Sequence, residues 1–484
     1  MKKIWMVLLC LATLAGSCGS CEDSNNGEND KPGPKPGEET LAKQNLMRAM
    51  EIVDNAVDCY FQGEGMKMAR YYNPYTQLRS DETGSIWMYT SSIEAVNAIL
   101  HALKTAKEKG DAELYDKNFG RYTQLLAKLH ENAAFYQGTF RLVSYTQTKE
   151  WTVYGVNRGR DKGAAAVEGV ENVYDDQQWL VRELLEAYKL TGNQAYLTEA
   201  EYLTEYVLDG WDCTLDDAGN ENGGIPWGPG YVTKHSCSNG PMVSPLVWLH
   251  ELYKGKNDEI EHRYIDTDKS RKTEQVKKSE YYLTYAKKVY DWQKKHLLIP
   301  NSGVYDDMMG GYSSGDVLYE TIDGVKYRAH TRLRDRVGPP ITYNSGTMLS
   351  GAADLYRATA DSKYLDDAKK LTDDSFRHFA KLGGTKPGYY TYDISGFRNW
   401  FNGVLMRGYV DAYPAYNNAS VCIDSFQKNL DYGYDNFMYK SFLPTSLLVG
   451  WSRDNNNNKV EGMFTFAFAA EYAVLARYEM EREL

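Results

Sequence analysis

The stretch Tyr174-Asp175-Asp176-Gln177-Gln178-Trp179 sets two adjacent carboxylates at the start of an apolar helical run and follows them with an aromatic. Two carboxyl groups held close together can break a glycosidic bond, one as nucleophile and the other as general acid/base. Acidic residues also favour the first turn of any helix, because they offset the positive end of its dipole. Asp-Asp recurs at 216–217, 306–307, 366–367 and 373–374. What separates a site from an acidic helix start is therefore the set of elements that position each doublet.

Those elements come from a degenerate internal repeat. LLEAYKLTGNQAYLTEA (184–200) aligns with AADLYRATADSKYLDDA (352–368), matching Tyr188, Thr191, Tyr196, Leu197 and Ala200 to Tyr356, Thr359, Tyr364, Leu365 and Ala368. A third copy, starting at Leu249, is interrupted by a charged insertion at 255–278. Each unit reads as helix, short polar turn, helix, with apolar residues at the three- and four-residue spacing of an amphipathic helix. The same spacing predicts helices over 42–61, 86–107, 114–135, 174–191, 194–208, 238–254, 279–297, 343–359, 361–380, 398–412, 417–430 and 460–480. The segments 138–155 and 318–331 read as loop hairpins, and almost nothing else reads as strand.

One helix of each hairpin is apolar nearly all round, as in EGMFTFAFAAEYAVLA; the other is charged on one face, as in YLDDAKKLTDDSFRHFAKL. The first kind belongs inside and the second outside. Six inner and six outer helices make an all-α toroid of six helical hairpins. Four inner helices open on Asn239-Gly240, Asn344-Ser345-Gly346, Asn402-Gly403 and Glu461-Gly462, and Tyr174-Asp175-Asp176 holds the equivalent position. The repeat thus puts Asp175 and Asp176 at the mouth of a funnel. Asp366-Asp367 and Asp373-Asp374 fall on an outer helix, Asp216-Asp217 in a turn, and Asp306-Asp307 in a loop before an inner helix, as the one rival pair.

Composition narrows the partner. Forty Tyr and ten Trp supply faces on which the apolar C–H faces of sugars stack. The net charge of −11 argues against nucleic acid. Residues 1–17 read as a signal peptide, with Met-Lys-Lys, an apolar run too short to span a bilayer, and small residues before Cys18. Cys18 is the expected lipidation site, with Cys21 as second choice, which places the protein as an outer-membrane lipoprotein on the surface or periplasmic face. Residues 18–40, acidic and rich in Pro and Gly, read as a flexible linker, and 41–484 as one catalytic domain. Cys59, Cys213, Cys237 and Cys422 match no zinc pattern; an oxidising compartment allows one disulfide among them, and buried free thiols are the expectation. No metal, no cofactor and a monomeric state are expected, and Asp454-Asn455-Asn456-Asn457-Asn458 reads as a polar turn.

Several ordered motifs resemble glycoside hydrolase family 76, the endo-α-1,6-mannanases with an (α/α)6 barrel. They are Tyr174-Asp175-Asp176 with Trp179; Gly223-Gly224-Ile225-Pro226-Trp227 followed by Lys234 and Ser238-Asn239-Gly240; Tyr343-Asn344-Ser345-Gly346; and Phe401-Asn402-Gly403 with Arg407. Leu180 stands where many members have a second Trp, and Pro226 where an aromatic is common. The resemblance implies a retaining endo-hydrolase of α-1,6-mannan, with Asp175 as nucleophile and Asp176 as general acid/base. Trp87, Trp227, Tyr343 and Phe401 are then the expected sugar platforms and Asn239 and Asn344 the hydroxyl partners. Tyr174, Trp179, Lys234 and Asn402 complete the expected substrate-binding set. The alternatives are a non-catalytic glycan-binding lipoprotein, which needs no paired carboxylates, and another (α/α)6 enzyme such as a uronide hydrolase or a polysaccharide lyase.

Overall fold

The computed structural model describes residues 39–311 and 315–482, so Cys18, Cys21 and the linker up to residue 38 lie outside the described residues. Twelve α-helices form among the described residues: α1 (Leu41–Tyr60), α2 (Ile86–Glu108), α3 (Glu113–Ala133), α4 (Tyr174–Thr191), α5 (Gln194–Asp209), α6 (Gly240–Tyr253), α7 (Lys278–Leu297), α8 (Thr342–Thr359), α9 (Ser362–Phe379), α10 (Arg398–Ala412), α11 (Ala419–Phe437) and α12 (Gly462–Arg482). The even-numbered helices pack one on the next, α2 to α12, and α12 closes back on α2. Each odd-numbered helix packs outside: α1 against α12, and α3, α5, α7, α9 and α11 against the even helix that precedes each in the chain. This is the expected all-α (α/α)6 barrel.

The local chemistry of the repeat explains its regularity. Thr191 Oγ1 donates to Ala187 O and accepts from Asn193 N, and Asn193 Oδ1 then caps α5 by accepting from Ala195 N. In the aligned copy Thr359 Oγ1 donates to Leu355 O and accepts from Asp361 N, and Asp361 Oδ1 accepts from Lys363 N. These side chains satisfy backbone groups that a helix end leaves unpaired. Burial divides the helices as the patterning requires: nearly all of α12 is buried, whereas α9 buries only Tyr364, Ala368, Leu371, Thr372, Asp374 and Ser375. α8 and α10 approach closely where Gly346 meets Leu405, since a Cβ on Gly346 would stand 2.7 Å from the Leu405 backbone.

Strands occur in the connections. Gln137–Val143 pairs with Thr148–Tyr154 and Tyr319–Ile322 with Val325–Arg328, both antiparallel, where hairpins were expected. The charged insertion at 255–278 is the correction. It forms a third antiparallel hairpin, Glu259–Ile265 with Arg271–Lys277. Most side chains of its second strand are exposed, so no alternation of apolar and polar residues marks it in the sequence. A small three-stranded sheet matters most for function. Met308–Met309 pairs on one side with Lys234–His235 and on the other with Arg336–Val337, joining two long loops over the same end of the inner ring.

Candidate active site

The doublet is built by the first turn of α4. Val173 precedes it in extended conformation, and the Tyr174 amide donates to Trp227 O at 2.8 Å. The Tyr174 ring turns away and packs on Tyr206 with centroids 5.1 Å apart. Asp175 and Asp176 are left facing a cavity of about 290 Å³, whose lining also includes Trp87, Trp179, Trp227, Tyr343, Trp400 and Phe401.

The aromatic wall is held by its own contacts. Trp179 Nε1 donates to Tyr343 Oη at 2.7 Å, and the Trp179 and Trp400 rings meet edge to face at 4.7 Å. Trp87 stacks on Phe401, centroids 5.9 Å apart and planes 12° from parallel. Trp400 Nε1 donates to Glu94 Oε2 at 3.0 Å, and Glu94 in turn pairs with Arg407. Across the cavity Trp227 stacks on His235 at 4.8 Å, and His235 Nε2 lies 2.9 Å from Thr233 Oγ1. Burial pulls His235 down to about 4, so the ring is neutral at pH 7.

The two acids differ in environment. Burial raises Asp175 to about 6, with Cys237, Trp227 and the backbone amides of the helix start opposing the rise. Asp175 Oδ1 and Trp227 Nε1 both remain without a full hydrogen-bond partner. Burial and then the charge of Asp175 push Asp176 well above the usual carboxylate range. No cation pairs with either acid among the described residues. Both are raised and Asp176 the more, so the pair gives up its protons in sequence, Asp175 before Asp176. The rival doublet is split: Asp306 pairs with Arg336 at 2.6 Å, while Asp307 lines the cavity, raised to about 6 by burial and the charge of Asp306.

Glycosyl hydrolase family 76 is the family whose profile matches the chain, over residues 153–251 and 272–412. The chain belongs to this family, and it is a glycoside hydrolase. The solved structures it resembles include a family 76 mannosidase of Bacteroides thetaiotaomicron (19% identity, TM-score 0.67, covering 91% of this chain and 100% of that one). Another is a family 76 glycoside hydrolase from a bovine Bacteroides thetaiotaomicron strain (18%, TM-score 0.64, 90% and 78%). A third is an inactive Salegentibacter sp. α-1,6-mannanase with two adjacent Asp-to-Asn substitutions, in complex with α-1,6-mannotriose (19%, TM-score 0.56, 90% and 99%). Comparison with curated proteins finds no match. Most of the hairpin Glu259–Ile265 and its turn fall between the two matched segments.

Within this family 76 chain the expected site residues divide into two groups. Trp87, Asp175, Asp176, Trp179, Trp227, Tyr343 and Phe401 line the cavity; Tyr174, Lys234, Asn239, Asn344 and Asn402 do not. The polar members of the second group spend their hydrogen bonds on loops. Asn239 clamps Ile225, accepting from its N at 2.8 Å and donating to its O at 3.0 Å, and also donates to His235 O. Asn344 donates to Asp306 O, Asn402 to Asp393 O, and Lys234 Nζ to Asp212 and Gly223 O. They hold in place the segments that carry Trp227, His235 and Asp307. Sequence reasoning missed Tyr231, Thr233, His235, Cys237, Phe397 and Trp400 in the lining. Two signals were present: 397, 400 and 401 share a helical face, and 233, 235 and 237 alternate as an extended segment does.

Among the described residues, no cluster of three or more His, Cys, Asp or Glu is placed to hold a metal ion, and no helix is long and apolar enough to cross a membrane. Cys59, Cys213, Cys237 and Cys422 are free thiols; Cys213 and Cys422 are buried as expected, whereas Cys59 and Cys237 are only half-buried. Asp454 caps a short turn through Asn456 N.

Proposed function

We propose that this family 76 hydrolase cleaves α-1,6-mannan backbones internally and with retention of configuration. The observation that carries the reading is a pair of adjacent acids, Asp176 buried and Asp175 half-buried, without a counter-cation among the described residues and lining an aromatic-walled cavity. In the first step an Asp175 oxygen attacks C1 as Asp176 gives its proton to the glycosidic oxygen. The C1–O bond breaks, and the sugar is left as an ester on Asp175. In the second step the Asp176 carboxylate takes a proton from water, whose oxygen attacks C1 and releases Asp175. Retaining enzymes hold the two carboxyl groups roughly 5–5.5 Å apart for this exchange. Stacking on Trp87, Trp227, Tyr343 and Phe401 supports the sugar rings. The α-1,6-mannotriose bound by the Salegentibacter enzyme supports the choice of linkage.

The deciding experiment is product analysis on debranched yeast mannan, followed by NMR of the anomeric proton. Oligosaccharides are expected before free mannose, with the α-anomer appearing first, and Asp175→Ala and Asp176→Ala are expected inactive. Turnover of a uronic-acid polymer instead, or full activity in both variants, would overturn the reading.

The reading extends to the N-terminal segment: residues 1–17 are cleaved, Cys18 is lipidated, and 18–40 tether a monomeric domain, 41–484, to the outer membrane. Cys18→Ala should move the protein from the membrane fraction to the soluble one. Retention in the membrane with loss on Cys21→Ala would shift the anchor to Cys21.

A further inference from the structure

The opening turns of α10 line two cavities. Phe397, Trp400 and Phe401 face the catalytic one, whereas Asn399 and Asn402 line a second of about 260 Å³, close to the catalytic cavity's 290 Å³. Its lining runs from exposed Thr385 and Asp393 to buried residues, with Asn402, Asn429 and Glu471 at 6, 9 and 6% exposure. The walls between are largely apolar. Phe426, stacked on Tyr392 with centroids 4.4 Å apart, is joined by Leu430 and Phe468.

Asn399, Asn402 and Tyr392 spend their hydrogen bonds on the fold, but two polar groups of this cavity do not spend all of theirs. Asn429 Nδ2 donates to Tyr390 O at 2.8 Å, but Asn429 Oδ1 is buried without a partner. Among the described residues the Glu471 carboxyl has no ion-pair or hydrogen-bond partner either. Burial, and then the charge of Glu94, raise Glu471 to about 8, so it carries a proton at neutral pH. Room for it comes from Gly403, where a Cβ would stand 2.9 Å from Glu471 Oε1. The Asn402-Gly403 motif thus builds this cavity rather than the catalytic one. A protonated carboxyl offers one O–H donor and one acceptor, and Asn429 adds a second acceptor. Buried polar atoms left unpaired are costly, so an occupant that both donates and accepts relieves the cost. Sugar hydroxyls do both, and the C–H face of a pyranose suits Phe426. The cavity lining holds no Lys, Arg or His that would favour an anion.

We propose that this cavity is a second saccharide site, distinct from the catalytic cavity, which takes one neutral pyranose unit with its hydroxyls on Glu471 and Asn429 and its ring against Phe426. The unit is either a free sugar or a side-branch residue of the polysaccharide. Only the side-branch source rests on the mannan reading.

The test uses full-length Asp175→Asn/Asp176→Asn protein, titrated with the methyl α-glycosides of mannose, glucose and galactose. NMR follows the Asn429 side-chain amide for the second cavity. The indole N–H signals of Trp87 and Trp227 report on the catalytic one, because no Trp lines the second. At least one glycoside should shift the Asn429 amide to saturation. Leu448→Trp, at the partly exposed edge of the second cavity, should abolish that shift while the two indoles still respond, and in the active enzyme it should leave turnover of a short linear substrate unchanged. Glu471→Gln, which keeps one donor and one acceptor, should retain the shift. The proposal is overturned if no glycoside moves Asn429, or if Leu448→Trp leaves the movement intact. A mannoside that moves Asn429 but not the indoles would count against the mannan reading alone. Branched and debranched mannan as further titrants separate the two sources: a shift with a glycoside and with branched but not debranched mannan identifies a branch residue, and a shift with glycosides only identifies a free sugar.

Discussion

Two buried acidic sites stand near the same loops and have opposite designs. Asp212 is fully buried and surrounded by donors: Lys234 Nζ at 2.8 Å, His330 Nδ1 at 2.8 Å, and the hydroxyl and amide of Thr214. Burial alone would raise its pKa, but the charge of Lys234 and these hydrogen bonds outweigh it and hold Asp212 well below the usual carboxylate range. Burial pulls Lys234 down, against the attraction of Asp212; with Asp212 held so low, the pair is ionised. Asp175 and Asp176 have burial without a cation, and both are pushed up. A buried charge that is matched ties loops together. A buried charge opposed by its own neighbour stores the reactivity that an acid/base pair needs.

Breaking each site should therefore have a different signature. Asp176→Ala is expected to lower kcat/KM by about 10²–10⁴-fold, the range for a lost general acid, and Asp175→Ala by at least as much. Neither should destabilise the fold, because each removes one of two mutually repelling acids. The check is steady-state kinetics on mannan beside a denaturant titration of the same variants. Asp212→Ala should do the reverse. It strands Lys234 in the interior, which typically costs about 3–5 kcal/mol. A shift in the denaturation midpoint of that size, with less effect on kcat than either Asp175→Ala or Asp176→Ala, is the expected result.

The pH dependence sharpens the contrast because the signs differ. Asp175 and Asp176 bind their protons more tightly folded than unfolded. Their contribution to stability is fully present below the unfolded value near ~4 and is lost as pH rises, through about 6 for Asp175 and beyond for Asp176. Asp212, held low, contributes stability above the unfolded value and loses it as pH falls. Denaturation from pH 3 to 8 should thus show Asp176→Asn gaining on the wild type as pH rises. The deficit of Asp212→Ala should shrink as pH falls below ~4. For activity, kcat/KM should rise through about pH 6 as Asp175 ionises and fall on the alkaline side as Asp176 loses its proton.

This contrast also shows what the sequence could reveal. The helices were legible because each is long enough to repeat its burial pattern over several turns, and α4 and α10 match the expected bounds to the residue. Trp87, Trp179, Trp227, Tyr343 and Phe401 were legible because a ring is used the same way wherever it sits, although Tyr231, Phe397 and Trp400 went unread. The amide and ammonium residues were not legible. Asn239 and Asn344 sit at helix starts and Lys234 in a short strand, where an amide or ammonium serves a loop backbone as readily as a sugar. The paths of residues 212–238 and of the loop through Asp306 decide between those uses, and they rest on contacts distant in sequence, such as Met308 with His235. Asp212 passed unnoticed for the same reason: its partners Lys234 and His330 are far along the chain.

The finest test of the comparison is His330. It donates to the same Asp212 oxygen as Lys234, but its side chain is one-third exposed, at 33%. If the Asp212 site exists to hold loops together, its donors should contribute in steps rather than all at once. His330→Ala leaves Lys234 and Thr214 in place and opens the vacated position to water. It should therefore cost only about 0.5–1.5 kcal/mol, the net worth of one hydrogen bond, and leave kcat on mannan unchanged. A loss as large as that of Asp212→Ala would mean that His330, not Lys234, keeps Asp212 low. A selective loss of kcat with stability intact would mean that the Asp212 cluster serves the chemistry after all, and the division between the two sites would fail.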